Sequence, residues 1–187
     1  MRTLVALLMS LGIALPALAA ERSIDKEVLI NADVEQAWHS WTTREGITGF
    51  FAPDAEIDAR VGGAFHIFID PLAEPGAKGA DEMRFMALQR PKMLSFDWNA
   101  PPSQPEIRAQ RTFVVVRLEP VDATHTKVSI HHTGWGDGPA WDKTYAYFDK
   151  AWGVVLGNLQ QRYEKGPKDW TEWLKQLEQY HKAAPAK

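Results

Sequence analysis

The chain has 187 residues, a formal net charge of −3, no cysteine, and eight Trp and eight Phe. That length suits a single domain with its own core. The missing cysteines exclude disulfides, thiolate chemistry and a lipid-anchored leader, and the mild acidity without a basic stripe excludes nucleic acid as a partner.

Residues 1–20 read as a signal peptide. Met1 and Arg2 give a positive start, Leu4 to Leu15 an apolar run, and "PALAA" a small-residue exit. The run is short for a membrane span of roughly 20 residues. The expectation is an exported, periplasmic or secreted protein, cleaved near Ala19/Ala20 and with no stable membrane insertion afterwards.

"SIDKEVLINA" predicts an opening strand. Asp33, with Gln36 three residues on, predicts a capped helix whose buried face carries Val34, Ala37, Trp38 and Trp41. "TREGITGFF" predicts a short helix or turn. From Asp54 the apolar period falls to two, and paired strands are expected around Gly62-Gly63, Arg90-Pro91 and Pro120–Thr124. Short sequential connections make the sheet mostly antiparallel. A Gly-rich loop, "TGWGDGP", then leads into a long amphipathic helix over Ala140–Tyr163. Its stripe runs Trp141, Tyr145, Phe148, Trp152, Leu156, Leu159, Tyr163. Gly153 and Gly157 interrupt it at about 1 kcal/mol each relative to Ala, which predicts a close approach of another helix or a ligand. Gly166-Pro167 ends this helix, and "DWTEWLKQLEQY" predicts another with Trp170, Trp173, Leu174 and Leu177 on one face. The fold class is α+β: a curved antiparallel sheet of about six to seven strands wrapped around the long C-terminal helix.

Several stretches carry a family resemblance. "VEQAWHSWTTREGITGFFAP" (Val34–Pro53), "RVGGAFHI", "QRPKMLSFDW", "VSIHHTGW" and "AWGVVLGNLQQRYEKG" occur in the order found in the START-like (SRPBCC) superfamily, with its helix-grip fold. The similarity is closest to the branch named after the activator of the heat-shock protein 90 ATPase. Phe50 stands where that branch usually has Trp, and Ala151 where it has Gly. The resemblance places the domain at 24–166 and leaves 167–187 as a helical extension and tail.

The resemblance implies a pocket between sheet and long helix that takes a hydrophobic or aromatic small molecule. Strand parity sets Leu94, Phe96 and Trp98 on one face, with Phe65, Ile67 and Ile69, Met83 and Phe85, and Val128, Ile130 and His132 beside them. The expected pocket residues are Trp38, Phe51, Phe65, Phe85, Phe96, Trp98, His132, Trp135, Trp152 and Leu156. The alternative is that these side chains simply fill a core.

His132 is the candidate catalytic base of a cyclase- or hydrolase-like alternative; otherwise it is structural and bonds the Gly134 turn. His131, His66 and Asp97 fall out of phase and should face outward. No metal-ligand spacing, nucleophile motif or phosphate cradle is present, so no metal and no cofactor are expected. A co-chaperone-like interaction domain is the remaining alternative, which export opposes.

Overall fold

Asp33 starts the first helix as its spacing requires. Its carboxylate accepts from the Gln36 amide at 2.8 Å while Gln36 Oε1 accepts from the Asp33 amide at 3.1 Å. The structure, a computed structural model, describes residues 21–183. The leader expected over residues 1–20 lies outside the described residues. Helix α1 (Val34–Thr42) buries Ala37, Trp38 and Trp41, and α2 (Arg44–Thr48) begins where Thr43 Oγ1 accepts from the Gly46 amide at 2.9 Å.

The strands are β1 (Ile24–Ile30), β2 (Asp54–Ile57), β3 (Phe65–Phe68), β4 (Gly79–Ala80), β5 (Phe85–Gln89), β6 (Met93–Trp98), β7 (Thr112–Pro120) and β8 (Thr126–Thr133). They form not one sheet but two. A five-stranded sheet runs β1-β8-β7-β6-β5, and a three-stranded one runs β2-β3-β4, with every pairing antiparallel. The Arg60–Gly63 turn breaks the ladder, with Gly62 at φ 77°. Backbone bonds from Phe65 to Met83 and from Gly62 to Phe85, each 2.8 Å, still tie the two sheets edge to edge.

Three further helices complete the chain: α3 (Pro105–Arg108), α4 (Pro139–Lys165) and α5 (Thr171–Ala183). Neither α3 nor β4 was expected from the sequence, since each is too short to show a period. None of the helices described is long and apolar enough to cross a membrane.

Helix α4 lies against the sheet and buries Trp141, Phe148, Trp152, Leu156 and Leu159. Tyr145 and Tyr163 flank that stripe, half-buried, so that their hydroxyls reach the carbonyls of Ser23 and Gln36. Gly166 closes the helix at φ 96°. The expectation for Gly153 and Gly157 fails. A Cβ built at either would meet nothing within 4 Å, so no helix approaches that face.

Candidate functional site

Parity sorted Phe65, Ile67, Met83, Phe85, Leu94, Phe96, Trp98, Val128, Ile130 and His132 inward, but Ile69, expected beside Phe65 and Ile67, is 38% exposed because β3 ends at Phe68 and the alternation ends with it. Trp38, Phe51, Phe65, Phe85, Phe96, Trp98, Trp152 and Leu156 are all buried in one continuous cluster, with Trp135 packed against it. Phe65 stacks on Phe96 at 4.0 Å between centroids, Phe51 meets Trp152 edge-on at 5.7 Å, and Trp98 lies 5.6 Å from Trp152. Aromatic rings at these distances fill the space between sheet and helix. Burying each large side chain stabilises the fold by about 1.5–3 kcal/mol.

His132 faces inward and is fully buried, as its phase with Val128 and Ile130 required. The Trp152 indole N–H donates to its Nδ1 at 2.9 Å. Its proton therefore sits on Nε2, which donates to Thr112 Oγ1 at 2.7 Å. Burial, with the neighbouring His131 second, pushes its pKa down to about 3. The imidazole is neutral and both nitrogens are engaged by protein groups. Its carbonyl also holds Trp135, whose Nε1–H donates to it at 3.0 Å. His131 points outward onto Asp25 at 2.7 Å. His66 is half-buried on Glu56, and Asp97 turns to the Arg84 amide and Arg111.

The open space lies elsewhere. A cleft of about 910 Å³ runs between the end of the sheet, the N-terminal half of α4, and α5. Its floor comes from Trp98 and Asn99 at the end of β6, with Pro101 and Ser103 just beyond. Tyr147 and Phe148 of α4 form one side. The loop after β3 contributes Ile69, Asp70, Leu72, Glu74 and Lys78, and α5 faces it with Trp173, Leu177, Tyr180 and His181. Of the pocket residues expected from the sequence, Trp98 borders this cleft.

Local bonds hold these walls in place. Trp173 Nε1 donates to the Ile69 carbonyl at 2.8 Å, His181 Nε2 donates to Asp70 at 2.8 Å, and Trp170 Nε1 donates to the Thr48 carbonyl at 2.6 Å. Together they lay α5 along the cleft, although Leu177 is its buried residue. The short α3 has a role here too. Its Arg108 donates to the carbonyls of Gly76 and Gly79, each at 2.7 Å, and to that of Ala100, tying the loop after β3 to the floor. Among the described residues no group of three His, Asp or Glu could hold a metal ion.

Helix α5 lines the cleft with residues that the sequence does not connect to it. Trp173, Leu177 and Tyr180 recur at helical spacing, a stripe visible in the sequence but without the long-range contact that gives it meaning.

The family model described as activator of Hsp90 ATPase homolog 1-like protein matches residues 31–182. The chain belongs to that family. The match extends through nearly all of α5, so the cleft lies within the family's domain. No curated protein matches the chain. Among solved structures, a Mesorhizobium loti protein is 21% identical over 79% of this chain and 100% of its own, with a TM-score of 0.61. The Aha1 dimer from Colwellia psychrerythraea is 21% identical over 78% of this chain and 98% of its own, at 0.58. An HSP90 activator from Plasmodium falciparum is 18% identical over 78% and 97%, at 0.56. At these identities the likeness is one of fold, and it agrees with the helix-grip architecture of the START-like superfamily.

Proposed function

We propose that this protein binds a hydrophobic or aromatic small molecule in the cleft beneath α5. The observation that carries the reading is the cleft itself. Its volume of about 910 Å³ falls in the range that holds small organic ligands, of roughly 300–1,000 Å³. Its walls present large apolar surfaces that elsewhere would be costly to leave in water: Trp173 is 38% exposed, Leu72 49% and Tyr180 68%. The site differs in place from a pocket under the middle of α4, because aromatic rings occupy that space. The leader-like start of the chain supports an exported, periplasmic setting for this binding. The experiment is native mass spectrometry of protein purified from its own cell envelope. A co-purified small molecule supports the reading. A clean apo mass, with tryptophan fluorescence indifferent to an aromatic and lipid library, contradicts it.

Family membership favours a second reading, a co-chaperone-like interaction domain, and the Plasmodium falciparum neighbour is described as an HSP90 activator. It is tested by adding the protein to an ATP-driven chaperone of that class and measuring hydrolysis. Catalysis by His132 as a base draws no support from the geometry, since Trp152 occupies the nitrogen that would accept a proton.

A further inference from the structure

Helix α5 forms one wall of the cleft, and it is attached differently at its start and along its length. At the start, the irregular stretch 166–170 is pinned to the end of α2. The Lys168 amide donates to the Gly49 carbonyl at 2.9 Å, and Trp170 Nε1 donates to the Thr48 carbonyl at 2.6 Å. Further along, Trp173 and His181, about two turns apart, reach the same place at the end of β3. Trp173 Nε1 donates to the Ile69 carbonyl and His181 Nε2 to Asp70, each at 2.8 Å. That place is itself fixed: the other Asp70 oxygen accepts from the Leu72 amide at 3.1 Å, and the Asp70 amide donates to the Lys78 carbonyl at 2.8 Å.

The body of α5 adds little packing to these bonds. Leu177 is its buried residue, while Trp173 and Tyr180 stand 38% and 68% exposed along the cleft. The ion pairs Glu172–Lys175 and Glu178–Lys182 stay inside the helix. An element held by little apolar burial and a few polar bonds opens more easily than the core.

We propose that α5 is a lid, which pivots on its pinned start at Thr48–Gly49 and unlatches from Ile69 and Asp70 to admit ligand. The proposal rests on the cleft being the binding site. Hinge motion concentrates backbone change in a few residues at the end of an element, and Trp170–Thr171, where the pinned stretch becomes helix, is such a place. A ligand that touches Trp173 and Tyr180 covers apolar surface that the closed lid leaves partly in water. It therefore binds the closed arrangement better than the open one and holds the lid shut. Entry and release wait on the latch, and the aromatic core stays packed throughout.

The test locks the latch. The chain has no cysteine, so Asp70→Cys/His181→Cys introduces two unique thiols, which a short reducible bis-methanethiosulfonate linker can join. Exchange of naphthalene between free and bound forms is followed by NMR. The linked protein should exchange it at least about tenfold more slowly than the same protein after reduction, because lid opening then limits the rate. Equal rates before and after reduction overturn the lid and leave the binding reading intact. A second measurement needs no variant, so it stands even if that one folds poorly. Saturating naphthalene should slow hydrogen exchange over residues 171–183 of the unmodified protein by about tenfold. Unchanged exchange despite binding also overturns the lid. If naphthalene does not bind the unmodified protein, the cleft reading falls and the lid falls with it.

Discussion

The indole N–H of Trp152 donates to Nδ1 of His132 at 2.9 Å, which joins the gripping helix to strand β8 by a buried polar bond. That bond works only while the imidazole is neutral, because a protonated Nδ1 has no lone pair to accept it. The fold has thus linked its core to the charge state of one histidine.

The link gives stability a pH dependence with a definite sign. The His132 pKa falls from an ordinary 6.5 to about 3 in the folded chain, so the unfolded state binds the proton more readily. Stability from this residue is complete above about pH 6.5 and declines as pH falls toward 3. Between pH 7 and pH 4 the loss should be on the order of 3 kcal/mol, at 1.36 kcal/mol for each unit crossed. Denaturant unfolding at both pH values, compared with the non-titrating His132→Gln, isolates it. Equal losses in the two proteins would mean that His132 is not held neutral.

The same geometry predicts little involvement of His132 in the cleft. Replacing it with Ala should leave affinity for an aromatic probe such as naphthalene within about tenfold, or 1.4 kcal/mol, provided the variant is folded. A complete loss of binding in a folded variant would place the ligand under α4 instead.

Helix α5 is held by few bonds and should open locally before the rest of the molecule. Trp173→Ala removes the bond to the Ile69 carbonyl and part of the cleft wall. Hydrogen exchange over residues 171–183 should rise about tenfold while the strands stay protected. Unchanged exchange would mean that Trp173 does not anchor the helix.

Open space around Gly153 and Gly157 reverses the expected effect of substituting them. Each Gly→Ala change should stabilise the fold by about 0.5–1 kcal/mol, since it removes backbone freedom from the unfolded chain and strains nothing in the helix. A shifted denaturation midpoint with an unchanged slope is the expected result. Destabilisation would reveal a contact on that face.

The gripping helix, the capped α1 and the inward phase of β8 were legible because each rests on local periodicity or capping chemistry. Val128, Ile130 and His132 show how far that goes: alternation placed all three inside. It could not say whether Phe65 and Phe96 would line a hollow or stack at 4.0 Å, since that depends on how two distant strands approach. The cleft escaped notice for a related reason. Asn99 sits past the end of a strand, Lys78 in an irregular loop and Tyr180 in a helix 81 positions from Asn99, so only the folded chain brings them together.

The central claim is that ligand enters beneath α5, and the indole signals of the eight tryptophans test it most directly. In an NMR titration with naphthalene, the account predicts that the Trp98 and Trp173 indole signals shift with a common dissociation constant while those of Trp38 and Trp41 stay in place. Shifts in the Trp38 and Trp41 signals with Trp173 unmoved would put the ligand in the core and contradict it.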